Sequence, residues 1–440
     1  MLSSKERVLM AMNHEEPDRI PMDYWAWQEV NNNLYERLSL KEYDELLDYL
    51  GVDPELISLG QYKSAGEIFV REQMSEASRA MTTSILNDLQ DRIGARLATG
   101  RGVDRAAAQG VIDGGPYTAR QALERGLVNG LLYEDQVEEL ARRKLPGGQA
   151  CAAEDLNARD GWFKRLVTWR RPQIAYVVAE GLIMAGESRR GRGTRPLIGA
   201  DSLVEVLKAA RESKRIRAVV LRLNSPGGSA LASDLIWRAV KLTAEKKPLI
   251  ISFGNVAASG GYYIAVAGRR ILSMPATLTG SIGVIGGKFS VQKLLGRLGI
   301  TVDSVETGAR SGYLSITRPF SESEEQVVRE QMKEFYEELF LKKVAEGRRK
   351  SVDEVREVAE GRVWTGNQAL ANGLVDEAGG ARKAIEIARQ EAGLAGRKTR
   401  LVRFVRKRRW LDFLPLPFLG ATSIDLHGPL FLMTEDWDIR

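Results

Sequence analysis

Two stretches of this 440-residue chain are nearly the same sequence, although 247 residues separate them. Thr118–Val128 reads TARQALERGLV, and Thr365–Val375 reads TGNQALANGLV. A unit present twice constrains the fold strongly, because each copy has the same face to bury. Upstream, Leu59–Ser64 (LGQYKS) answers Thr307–Gly312 (TGARSG), a correspondence that pairs Lys63 with Ser311. Between these landmarks both copies read as loop, helix and turn. The second helix opens at Ser321 with Glu324 three residues on, the spacing of a capping box, and the first opens near Ser75.

The copies are unequal. The second is preceded by apolar, β-branched runs at IAYVVAEG, RAVVLRLNS, PLIISFGN and RRILSMP, separated by helical segments such as DSLVEVLKAARES. Strand–helix alternation of this kind predicts an α/β fold built on a mainly parallel sheet. The first copy has no such strands before Lys63. The lysine loop is therefore expected to lack the strands that would hold it.

Composition excludes several chemistries. A single cysteine, Cys151, allows no internal disulfide and no cysteine-based metal site, and the two histidines, His14 and His427, lie near opposite ends. No cofactor is expected. A hydrophobic fraction of 44% supports a sizeable core, yet no apolar run is long enough to span a bilayer. Charge is uneven: residues 1–57 hold 5 Lys/Arg and 13 Asp/Glu, while Arg397–Arg409 holds eight basic residues. That basic run continues into WLDFLPLPFL, a combination suited to an anionic membrane surface, to nucleic acid, or simply to solvent. Nucleic-acid binding rests on this tail alone and is not expected.

Three glycine turns carry the chemistry. NSPGGS (224–229), AASGGYY (257–263) and LTGSIGV (278–284) each follow an apolar run. Singly each is an ordinary turn or helix cap. In this order and spacing they resemble the signal peptide peptidase A family of serine peptidases, long tandem-repeat type, over about residues 58–390. The resemblance implies a Clp-protease/crotonase-like fold, here a tandem repeat with its first copy incomplete. It also implies Ser259 as nucleophile, Lys63 from the first repeat as general base, and Ser281 as the hydroxyl that orients the lysine. Short family members take the lysine from the position of Ser311.

A lysine serves as base only when neutral, which requires lowering its pKa by roughly 3 units from about 10.4, a shift that burial can supply. Ser259 heads a helix, and the backbone N–H groups of Gly260 and of Gly227 or Gly228 are the expected oxyanion hole. An extended peptide is expected to pair along the strand edge near Gly227.

The organisation expected is an acidic helical extension over 1–57, a truncated first repeat over 58–150, a complete second repeat over 160–390, and a basic, apolar tail over 391–440. The KERVLMAMNHEEPDRIP stretch of the extension resembles the amino terminus of the uroporphyrinogen decarboxylase and methyltransferase family. By resemblance to the peptidases, the substrates are cleaved signal peptides and other membrane-derived peptides, the chain forms homo-oligomers, and it works at the extracytoplasmic face of the cell membrane, with the tail as a membrane contact. The alternatives are a catalytically impaired peptide-binding scaffold and a crotonase-type acyl-CoA enzyme.

Overall fold

The computed structural model describes residues 43–144, 171–304 and 312–404, except 72, 115, 116, 118, 133, 192 and 193. Cys151, both histidines, Ser311, most of the acidic extension and most of the tail lie outside the described residues.

The first copy comprises α1 (Tyr43–Leu50), β1 (Asp53–Leu59), α2 (Glu76–Arg101), α3 (Arg105–Asp113), α4 (Ala119–Glu124) and α5 (Glu134–Lys144). Next come β2 (Gln173–Glu180), β3 (Leu182–Met184), β4 (Arg189–Gly191), β5 (Thr194–Gly199), α6 (Ala200–Glu212), β6 (Ile216–Ser225) and α7 (Ala230–Lys246). β7 (Leu249–Ala258), α8 (Gly260–Ala265), β8 (Arg270–Ser273), β9 (Leu278–Gly280), β10 (Val284–Ser290), α9 (Gln292–Arg297) and α10 (Glu322–Glu334) follow. A π-helical turn, Phe335–Leu341, joins α10 to α11 (Lys342–Arg348) and α12 (Val352–Val358). The described chain closes with β11 (Val363–Thr365), α13 (Gly366–Ala371), β12 (Glu377–Ala378), α14 (Ala381–Glu391) and β13 (Arg400–Arg403).

The central sheet runs β11-β9-β7-β6-β2-β13, with β8 beside β7 and β12 beside β8. Within it only the β9–β11 pairing is antiparallel. Alternate residues serve opposite faces, as the pleat requires. Val219, Leu221 and Leu223 join the larger core under α6 and α7, whereas Ala218 and Val220 pack with Ala384, Ile387 and Ala388 of α14. Arg400–Arg403, within the basic segment read as tail, is the edge strand beside β2.

The strands of the central sheet all lie after residue 170, but one strand does precede Lys63, and this corrects an expectation. Asp53–Leu59 pairs antiparallel with Val284–Ser290 over its whole length, from Asp53 opposite Ser290 to Leu59 opposite Val284. The sequence DPELISL sits at the end of a helical, acidic stretch, and its partner lies more than 220 residues on, so its strand character was not visible locally.

The repeat is visible as geometry. Ser75 and Ser321 cap α2 and α10; Gly102 (φ +66°) and Arg349 (φ +54°) end the helical runs in left-handed conformation; Asp104 and Ser351 cap the helices that follow. Gly126 (φ +67°) and Gly373 (φ +74°) close α4 and α13 in the same way. Ser75 and Ser321 are offset by 246 residues and the later landmarks by 247. One residue has been added inside the second helical run, and the π-helical turn is where it is accommodated, since a single inserted residue widens one turn to i→i+5 bonding.

Candidate functional site

β7 carries the chain through the core to Ala258, and Ser259 then adopts φ +52°, ψ −119°. A non-glycine residue there is strained by about 1–3 kcal/mol and persists only when its surroundings hold it. They do. The Ser259 amide donates to Gly280 O at 2.8 Å, and its carbonyl accepts from Tyr263 N. Helix α8 is buried throughout and fixed by both tyrosines. Tyr262 donates its hydroxyl to Leu374 O, and Tyr263 donates to Asp234 Oδ1 at 2.6 Å. Lys343 bonds the same Asp234 oxygen and Tyr263, with its Nζ 3.8 Å above the Trp237 ring. Burial, reinforced by Asp234, pushes the Tyr263 phenol well above its ordinary pKa, so it stays a neutral donor.

Ser281 is the second strained serine, at φ +49°, with its amide donating to Arg362 O at 2.8 Å. Lys63 reaches both serines from the other repeat. β1 delivers the chain to Gly60, and the Tyr62 amide donates to Glu360 O at 2.8 Å. Gly361 (φ +76°) abuts the Lys63 backbone: a Cβ there would lie 2.7 Å from Lys63 Cα, so this approach requires glycine. Lys63 Nζ lies 2.7 Å from Ser281 Oγ, 3.2 Å from Ser259 Oγ and 3.3 Å from Ser281 O. Lys63 is 3% exposed, Ser259 1% and Ser281 fully buried.

The glycine turns converge on the same point. Gly227 N donates to Ser225 Oγ at 3.1 Å, whereas the amides of Gly228 and Gly260 donate to no acceptor among the described residues. A Cβ on Gly260 would lie 3.4 Å from Gly228 N, which shows how closely the two turns approach. Gly228 (φ +144°) could not be another residue, since its Cβ would fall 2.1 Å from Ile183 O. Ile183 N donates to Gly227 O and Ser229 N to Ile183 O, so one side of the Gly227 edge is already paired within the chain.

Beside Lys63 lies a cleft of about 450 Å³, lined about equally by apolar side chains (Leu56, Leu59, Val70, Ile285) and by polar or charged ones that include Gln61, Glu67 and Arg71. Glu360 and Gly361, which touch the lysine loop, and Tyr336, which bonds Glu360, were not singled out from the sequence. Their signals were present but faint: a Glu-Gly turn dipeptide, and the shift of the repeat offset by one residue.

Comparison with known proteins agrees with this architecture. The model of Peptidase family S49 matches residues 37–145 and 241–395, and that of Clp protease matches residues 198–279. The first of these matches, like strand β1, reaches into the segment read above as an extension. Serine protease SPPA, chloroplastic, of Arabidopsis thaliana is 35% identical over 392 residues, covering 88% of this chain and 57% of that protein. Protease 4 of Salmonella typhi is 33% identical over 362 residues, covering 79% and 57%. The chain thus spans 57% of the length of both curated relatives. Among solved structures, ClpP1 from Listeria monocytogenes superposes over 47% of this chain and 92% of its own, at 17% identity and a TM-score of 0.28. At that score the superposition is loose, and it is the Clp protease sequence match, with the parallel sheet and its helical layers, that specifies a Clp-like α/β fold.

Proposed function

The chain belongs to peptidase family S49, and we propose that it hydrolyses peptide bonds through a dyad of Ser259 and Lys63. The observation that supports this reading is the contact between the buried Lys63 amine and Ser259 Oγ, at 3.2 Å. Burial disfavours the ammonium, so the lysine can take the Ser259 hydroxyl proton as the oxygen attacks a substrate carbonyl carbon. The oxyanion that forms is received by the N–H groups of Gly228 and Gly260. The lysine then passes its proton to the departing amine, leaving an acyl-enzyme on Ser259 that water hydrolyses. Ser281, whose Oγ lies 2.7 Å from Lys63 Nζ, orients the amine toward Ser259.

The substrates are extended peptides with small or apolar side chains, for which Leu56, Leu59, Val70 and Ile285 give the mixed cleft beside Lys63 an apolar part. Cleaved signal peptides and other membrane-derived peptides are the proposed source, with work at the extracytoplasmic face of the membrane in a homo-oligomer. Among the described residues no helix is long and apolar enough to cross a membrane. The deciding experiment is cleavage of an apolar fluorogenic peptide by the purified chain beside Ser259→Ala and Lys63→Ala. Loss of turnover in both variants supports the dyad. Turnover that survives Lys63→Ala removes the proposed base, and a folded chain inactive in all three forms points to a peptide-binding scaffold.

A further inference from the structure

The helical run of the second repeat, from Ser321 to Arg349, is one residue longer than that of the first, from Ser75 to Gly102, and that residue does something specific. In the first copy α2 runs unbroken for 26 residues, Glu76–Arg101. In the second, the same run is broken by the π-helical turn Phe335–Leu341. The turn presents Tyr336, buried, to Glu360. The Tyr336 hydroxyl donates to Glu360 Oε1 at 2.9 Å and accepts from Glu360 N at 3.2 Å. Glu360 is held at φ +54° and Gly361 at φ +76°. Their counterparts in the first copy, Asp113 and Gly114, are respectively helical and at φ −85°. The left-handed turn therefore exists only in the copy that receives the lysine loop.

This turn is also what the lysine loop docks on. Glu360 O accepts the Tyr62 amide, Gly361 packs against the Lys63 backbone and donates to Ile282 O, and Arg362 O accepts the Ser281 amide. Residues flanking both the proposed base and its orienting serine thus hang from three consecutive residues. A strained backbone of this kind is maintained only by over-determined surroundings.

We propose, on the reading that Lys63 is the base, that Tyr336 and Glu360 are positioning residues that pin the 360–362 turn and thereby aim the Lys63 amine at Ser259. Neither touches substrate. Without the Tyr336 hydroxyl the turn relaxes, the loop moves by about an ångström, and Lys63 gains solvent.

The test uses the full chain and the fluorogenic peptide. Tyr336→Phe is expected to lower kcat by about 10²-fold, the usual consequence of an ångström-scale displacement, with KM changed less than about twofold. The acid limb of kcat/KM is expected to move to higher pH, because a more hydrated lysine regains a higher pKa. Glu360→Gln keeps the acceptor oxygen and is expected to retain kcat within about threefold, whereas Glu360→Ala reproduces Tyr336→Phe. Should Tyr336→Phe fold poorly, the Glu360 pair decides the matter. A wild-type kcat and acid limb in Tyr336→Phe, beside an inactive Lys63→Ala, overturns the positioning role alone. So does a loss of kcat with an unmoved acid limb and no rescue in Glu360→Gln, which marks a purely structural contact. An active Lys63→Ala instead overturns the assignment of the base.

Discussion

The two repeats use the same helices to different ends. In the second, α13 and its turn are buried against the sheet: Ala369 and Leu374 are fully buried, and Val375 is 3% exposed. In the first, the position answering Val375 is Val128, 38% exposed, and Leu131, Leu132, Val137 and Leu140 nearby are exposed as well. Caps and glycine turns are reproduced in both copies because they are local devices, stabilised within a few residues. Burial is not reproduced, because it needs a sheet to pack on. The first repeat has instead given one strand, β1, and one loop to the site of the second.

That asymmetry makes distinct expectations for the two regions. The largest effect should come from Lys63, the first-repeat side chain that reaches both serines. Lys63→Ala is expected to lower kcat by about 10²–10⁴-fold with little change in thermal stability, read by peptide turnover and calorimetry. Displacing the strand that carries it comes next. A Cβ on Gly287 would fall 2.1 Å from Glu55 O across the β1–β10 pairing. Gly287→Ala should therefore cost about 10²-fold in kcat and render residues 53–71 sensitive to limited proteolysis. Unchanged turnover in that variant would mean that the lysine does not depend on β1.

Stability should divide along the same line. Leu374→Ala is expected to cost about 2–5 kcal/mol, as for other buried leucines. Val128→Ala, in the uncovered copy, should change stability by less than about 0.5 kcal/mol in denaturant titration. Equal effects would show that the first copy's apolar face is covered in solution.

An effect smaller than that of the buried leucine concerns a cap. Glu324 closes a capping box on Ser321, and hydrogen bonds from Arg318 hold its carboxyl down at about 2, below the ordinary 4.5. A carboxyl depressed in the folded state stabilises above its unfolded value, and that contribution is lost as pH falls toward 2. Glu324→Gln should therefore destabilise by of order 1 kcal/mol near pH 7. The gap from wild type should narrow from about pH 5 downward. A gap that stays constant with pH would assign the effect to packing rather than charge.

Much of the site could be read from residue patterns. Ser259, Ser281, Lys63 and the glycines were named because the three glycine turns, in their order and spacing, carry a family resemblance, and the internal repeat pairs Lys63 with Ser311. All three glycine turns contain the positive φ that such sequence announces, at Gly228, Ser259 and Ser281. What could not be read was how the pieces are held. Gly227 and Gly228 are alike in sequence, and only the hydrogen bond from Gly227 N to Ser225 Oγ separates them. Tyr336 looks like any aromatic residue on an amphipathic helix until the π-helical turn directs it at Glu360.

The chain's sequence by itself determined its helices, their caps, the parallel strands and the residues of the three glycine turns, because those depend on contacts within a few residues or on the period of apolar side chains. Tertiary structure alone decided that DPELISL is a strand, that its partner is β10, and that the Glu360–Arg362 turn receives the loop that brings Lys63 to Ser259 across 196 residues of chain. Such pairings draw their free energy from packing between distant segments. A stretch of seven residues carries no record of the surface it will meet.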